Sequence, residues 1–280
     1  MTNGGPSDLR ASVEARLANR ADELGIDLNR LRRHFVFQRI LVRLSARGTW
    51  VLKGGFALEA RLLSDARATK DLDLTTLSAA DERSVRDDLI EALHSDEADA
   101  LRFAISPARP ITADMAGNPG WRYSVEALMA GRTFSKLSLD VVARATEIEG
   151  GTEVVEIPAV ISNMSAAHMT TVNLSQHAAE KLHALTRQYG DRPNSRVKDL
   201  VDLTLLHEAG LLDRDRVAER FRVVCELRDG GWPPAHGLIV PTSWVIPYEA
   251  MRQDLNLDSD FAVASQITSD LLTHASGGLE

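Results

Sequence analysis

The sequence predicts an α/β chain of the α+β kind, with a mixed sheet in its first part and helices in its last. Three observations lead there. Residues 50–76, WVLKGGFALEARLLSDARATKDLDLTT, read as a strand start, a glycine pair, a short amphipathic helix and a second strand. Short β-like segments follow at 101–105, 121–128, 134–143 and 153–157, divided by the turn-rich stretches SPARP and AGNPG. From Ser162 onward the pattern is mainly helical. Two lobes are therefore expected, 1–160 and 161–280.

The first helix is expected over 8–24, where Leu9, Val13, Leu17 and Leu24 hold a helical spacing that stops at Gly25. A second runs from Asp27 or Asn29, either of which suits an N-cap, to Ala46, with Gly48 ending it. Its apolar side is broad: Leu31, Phe35, Phe37, Leu41, Val42 and Leu44. At about 100° per residue, Arg32, Arg39, Arg43 and Arg47 fall within about 80° of one another. That stripe is either a solvated face or a contact surface for phosphates, which arginine forks suit. After the central stretch, Ser78 or Asp81 can cap an acidic helix reaching His94 that covers the sheet. The helical half offers 175–189 and 195–209, broken by the turn at 190–193. Gly-Gly-Trp-Pro-Pro at 230–234 then leads to a mixed segment and a last helix over 259–274, with the SGGLE tail outside the fold.

Composition narrows the classes. A single cysteine, Cys225, excludes an intramolecular disulfide and fits a reducing compartment. No apolar run approaches a membrane span and the N-terminus lacks a signal core, so a cytoplasmic protein is expected. The net charge of −8 argues against general affinity for nucleic acid. Its distribution is uneven, since residues 28–53 carry seven Lys or Arg and no Asp or Glu.

The chemistry concentrates on the central stretch. Residues two apart on a strand share a face, so Asp71 and Asp73 present two carboxylates side by side. Such a pair repels unless a cation lies between them, and hard oxygen ligands select Mg2+ or Mn2+. The Lys53-Gly54-Gly55 turn ahead of a helix lets backbone N–H groups approach an anion. The competing reading is a surface strand with two exposed acids. Asp-x-Asp recurs at Asp213/Asp215 and Asp258/Asp260, without a glycine pair and in loop or helix-start sequence. In 134–142, Lys136, Ser138 and Asp140 alternate onto one face, and Asp140 lies among apolar residues, where an unpaired carboxylate is costly. It is either ion-paired or a third acid, able to ligate a metal or take a proton from an attacking hydroxyl. Asp199 and Asp202 share a helix face with Arg196, an arrangement that ordinary surface salt bridges also produce.

Five blocks in order carry a resemblance: LKGGFAL, TKDLDL, LSLDV, EKLHA and RVKDLVDL. Together they resemble the AbiEii/AbiGii nucleotidyltransferase toxins, including the MenT-type toxins of toxin–antitoxin systems. The resemblance implies a DNA polymerase β-like nucleotidyltransferase lobe, a helical C-terminal lobe and an active site between them. It assigns Asp71, Asp73 and Asp140 to metal, and Lys53, Gly54, Gly55, Thr69 and Lys181 to the nucleotide. Arg196 and Lys198 are further phosphate contacts, with Asp202 orienting Lys181 and Asp199 holding Arg196. Phe56 departs from the Ser or Thr common after the glycine pair, so no hydroxyl contact is expected there. Thr69, at the mouth of the metal strand, is a candidate control point, because phosphorylation would add negative charge beside the paired acids. The implied activity is transfer of a nucleoside monophosphate from a nucleoside triphosphate, CTP among the candidates, to a tRNA 3′ end, with a cognate antitoxin as partner. The arginine stripe at 32, 39, 43 and 47 would then track RNA. Two alternatives stand: a protein or small-molecule acceptor, and a non-catalytic module binding nucleic acid or antitoxin.

Overall fold

In the computed structural model, residues 6–62, 65–77, 81–95, 99–111, 119–143, 145–188, 193–232, 234 and 237–277 are described. Helices α1 (Pro6–Leu24) and α2 (Leu28–Ser45) lead into β1 (Trp50–Lys53), α3 (Gly54–Leu62) and β2 (Asp71–Thr76). Then come α4 (Glu82–Leu93), β3 (Leu101–Ile105), β4 (Arg109–Ile111), β5 (Gly120–Met129), β6 (Arg132–Val142), β7 (Thr152–Ile157) and β8 (Ala167–Val172). The rest is helical: α5 (Leu174–Thr186), α6 (Val197–Glu208), α7 (Arg214–Asp229), α8 (Val245–Leu255) and α9 (Phe261–Ala275).

The sheet has the order β3-β5-β6-β2-β1-β8-β7, with β4 on the same edge of β5 as β3. β2 lies parallel to β6 and β1 parallel to β8, while the other pairings are antiparallel. β8 is a strand that was not foreseen in the part expected to be mainly helical from Ser162. Its Ala167, Met169 and Thr171 alternate inward between β1 and β7, a pattern too short to stand out beside strong helical neighbours. α8 was hidden for a different reason. Pro247 stands in its first turn, where no intrahelical N–H bond is lost, and in the sequence alone it reads as a breaker.

Side-chain caps set several helix starts. Asp27, Asp81, Asp213 and Asp260 each accept the backbone N–H three residues on, at 2.8, 2.9, 3.2 and 2.9 Å. The two spare Asp-x-Asp copies thus serve as caps. Ser78, the alternative cap for α4, lies outside the described residues, as do most of the AGNPG and 190–193 turns.

Two large cores form. One packs α1, α2 and α4 on one face of the sheet, with Phe35 against Phe134 and Phe37 against Phe56. The other gathers α5 to α9 around Phe221, Leu182 and Leu206. α3 joins them, giving Phe56, Ala57 and Ala60 to the first and Leu58 to the second. No helix among the described residues is long and apolar enough to cross a membrane.

Candidate active site

Strand register builds one row of charge across the sheet. Lys53 opposes Asp73, Asp73 opposes Asp140, and Asp140 opposes Arg122. Opposed residues share a face, so two acids stand together between two cations. Asp71 lies beside them, one row along, opposite Ser138. Arg122 donates to both Asp140 oxygens at 2.7 and 2.6 Å. Burial pushes the Asp73 carboxyl up to about 6, helped by Asp140 and Asp71 and opposed by Lys53 and Lys181.

The glycine pair is fitted to this row. Gly54 has φ +67°, and a Cβ there would sit 1.9 Å from Asp73 Oδ2. A Cβ on Gly55 would come within 3.0 Å of Thr69 Oγ1 and 3.2 Å of Arg67 Nη2. Only glycine lets the turn lie this close to the acids and to the segment before β2. Thr69 is buried; its N–H donates to Glu59 at 3.0 Å and its hydroxyl to the Asp71 carbonyl at 3.3 Å. Phe56 points away, into the core against Phe37 and His34.

Helices α5 and α6 supply the opposite wall. Lys181 Nζ donates to Asp199 at 2.9 Å and Asp202 at 2.5 Å. Burial alone would lower the Lys181 pKa, but Asp199 and Asp202 outweigh it and hold the ammonium above its ordinary range. Arg67 grips both Asp202 oxygens at 2.9 Å. Against the upward push of burial, Lys181 and Arg67 keep Asp202 ionised below the usual range. Lys53 pairs with Glu180 at 3.0 Å, and Arg228 approaches the same carboxylate at 3.7 Å. Burial favours a neutral Glu180, but Lys53 and Arg228 prevail and hold it well below the carboxylate range.

Asp73 lies within electrostatic reach of Asp140, Asp71, Lys53, Lys181 and Arg67, while Gly54 packs on Asp73, Gly55 on Thr69, and Lys181 gathers Asp199 and Asp202. Arg196 and Lys198 are exposed at the start of α6, with Arg196 3.9 Å from Asp199. Sequence reasoning missed Arg67, Arg122 and Glu180. Arg67 carried a readable signal, a cation four residues before Asp71. Arg122 carried only its outward place in an alternating strand, and Glu180 only its place beside Lys181.

The arginine stripe is a correction. Arg39 and Arg43 are buried and bind Asp99, Arg39 at 2.6 Å and Arg43 at 2.7 and 2.9 Å. Arg32 binds Glu14 at 2.9 and 2.5 Å, and Arg47 reaches Glu91 at 2.7 Å. The buried pair Arg39 and Arg43 is closed to RNA, which breaks the expected four-residue track, whereas Arg32 and Arg47 are partly exposed in ion pairs at the surface.

Asp71, Asp73 and Asp140 offer oxygen only, the ligand type a hard divalent cation takes, but Arg122 holds both Asp140 oxygens and the ligand atoms of the three acids are not gathered within 4.8 Å of one another. By contrast, His183, Cys225 and Asp229 have ligand atoms within 4.8 Å of one another but do not make a metal site. His183 is hydrogen-bonded to Asp229 at 2.8 Å, the Arg228 guanidinium lies 3.4 Å from its other nitrogen, and burial pushes the Cys225 thiol up to about 12.

Residues 36–273 match the family described as nucleotidyl transferase AbiEii toxin, type IV TA system. The chain belongs to the AbiEii family. This AbiEii protein is similar to the crystal structure of JHP933 from Helicobacter pylori, at 18% identity and TM-score 0.50, over 89% of this chain and 93% of that one. A second H. pylori structure aligns at TM-score 0.49 and 17% identity, over 88% and 95%. The Megavirus polyadenylate synthase aligns at TM-score 0.37 and 12% identity, over 76% and 39%. No curated protein matches the sequence. Family membership makes the AbiEii chain a nucleotidyltransferase of the toxin type.

Proposed function

We propose that this protein transfers a nucleoside monophosphate from a nucleoside triphosphate to the 3′ end of a tRNA, arresting translation and growth. The observation that supports the reading is the pair Asp73–Asp140, two acids in one sheet row packed against Gly54 and within electrostatic reach of Lys181. In this reading residues 1–160 form the nucleotidyltransferase lobe and 161–280 the helical lobe, which lends β8 to the sheet of the first.

The acceptor hydroxyl oxygen bonds to the α-phosphorus while the α–β bridging bond breaks and pyrophosphate leaves. Asp71, Asp73 and Asp140 would hold Mg2+ or Mn2+, which would supply charge neutralisation. Lys181 and Lys53 neutralise the triphosphate, and the Gly54–Gly55 turn admits it close to the backbone. Asp202, gripped by Arg67, fixes where the Lys181 ammonium points. Asp140 takes the proton of the attacking hydroxyl and would share in holding the ion. Arg196 and Lys198 lie where a phosphate tail leaving the cleft would meet them. A cognate antitoxin would silence the enzyme.

The test is incubation of the full chain with each α-labelled triphosphate and total tRNA, with and without Mg2+. Label migrating with tRNA, dependent on the ion and lost in Asp71→Ala, is the expected result. Label on protein, or none at all, overturns the reading.

A further inference from the structure

The row of charge continues past the cleft. Arg109 on β4 opposes Arg122 on β5, so the sequence across the sheet is Arg109, Arg122, Asp140, Asp73, Lys53. Two like charges directly opposite each other destabilise a sheet, and Asp140 answers only the inner one. Among the described residues no carboxylate pairs with Arg109, which is exposed on an edge strand. The outward side chains of β5 and β6 beside this row are open. Arg122 is 50% and Lys136 73% exposed, and Ser124 and Ser138 oppose each other next to Asp71. Glu126, the acid on this patch, is engaged by Thr133 and by Lys136 at 3.6 Å. α2, which packs on β6, and α4, which packs on β3, lie on the other face with Phe35 and Leu89 in the first core.

We propose that the open face of β4, β5 and β6 receives the backbone of a single-stranded nucleic-acid acceptor, with Arg109 and Lys136 on its phosphates, and delivers its terminal hydroxyl beside Asp140, whose oxygens Arg122 holds in place. This rests on the transfer reading above and gives its acceptor a surface. The cations belong to the acceptor rather than the triphosphate because they lie on the Asp140 side of the row, away from the glycine turn and Lys181. Lys136 is four residues from Asp140, about 13 Å along the strand, so the patch spans more than one phosphate. A cationic drug would be repelled by it, and the serine hydroxyls between the cations suit ribose and base edges.

The experiment uses the full chain and a fluorescein-labelled twelve-nucleotide single-stranded RNA of mixed sequence, followed by anisotropy across a salt series. Removing two phosphate contacts at about 0.7 each should lower the slope of log affinity against log salt by about 1.4. At ~0.1 M salt that is about a twenty-five-fold loss for the Arg109→Ala, Lys136→Ala double variant. Arg109→Lys with Lys136→Arg should restore the slope, and binding of a non-hydrolysable triphosphate serves as the control for the cleft. If the wild type labels RNA but the double variant binds it with unaltered affinity and slope, the surface is wrong and the transfer reading stands. If the wild type binds no RNA and labels protein, the acceptor reading fails and this proposal with it.

Discussion

Two acid-bearing clusters in this molecule use the same residue types in opposite ways. At Asp99 one carboxylate, 1% exposed, meets two guanidiniums and the Leu101 N–H. At Asp73 two further carboxylates crowd the row, while Arg122 is committed to Asp140 and Lys53 leans to Glu180. The pKa directions record the difference. Burial pushes both acids up, but hydrogen bonds from Arg43 and Arg39 overcome it at Asp99 and hold that group low. At Asp73 the acid neighbours reinforce burial and the carboxyl rises to about 6. A satisfied buried acid belongs to the fold, whereas an acid raised by burial and by neighbouring acids is of the kind found at functional sites.

The sharpest way to break that contrast is to neutralise each acid. Asp99→Asn leaves two buried guanidiniums short of countercharge and should cost about 3–5 kcal/mol of stability in urea unfolding. Asp73→Asn removes repulsion, so stability should hold or rise, while nucleotidyl transfer falls by about a thousandfold, or ~4 kcal/mol of barrier. Equal destabilisation by both would erase the distinction.

How much of this was legible in the sequence depends on distance along the chain. Local signals were readable: the caps at Asp27 and Asp81, the glycine pair, and the same-face relation of Asp71 and Asp73. Partnerships across long separations were not. Nothing in the sequence aligns β2 with β6, so Asp140 could be read only as either ion-paired or a third acid until the family resemblance placed it with Asp71 and Asp73. The same gap misled the α2 stripe. A helical wheel groups Arg39 and Arg43, but it cannot say that Asp99, 60 and 56 residues away, waits beneath them. Lys181 was found by motif, yet its lock by Arg67 joins residues 135 apart, Arg67 with Asp202.

Acid titration should separate the clusters again, with slopes of opposite sign in the metal-free protein. Asp99 is depressed below its ordinary 3.8, so its stabilisation is present above that value and is lost as pH falls further. Asp73 is raised from 3.8 to about 6, so its relative advantage is complete below 3.8 and disappears as pH rises toward 6. Between those values the stability of Asp73→Asn should gain on the wild type with rising pH, by at most about 1.4 kcal/mol per pH unit for one proton. Urea midpoints collected from pH 3 to 7 read this directly. A flat difference across pH 4–6 would mean that Asp73 is not crowded.

The smallest expected difference lies between two glycines of equal backbone strain. Gly54 and Gly210 both have φ +67°, but a Cβ at Gly210 meets nothing within 4 Å, while at Gly54 it meets the Asp73 carboxylate. Gly210→Ala should therefore cost only the left-handed penalty, about 1 kcal/mol, and leave transfer intact. Gly54→Ala carries the same penalty and must also push Asp73 aside, so it should weaken Mn2+ binding, read by the ion's electron paramagnetic resonance signal, beyond what its stability loss explains. If both variants bound Mn2+ alike, the glycine turn would be a feature of the chain's path alone. The close packing of Gly54 against Asp73 would then have no part in setting the carboxylate's position.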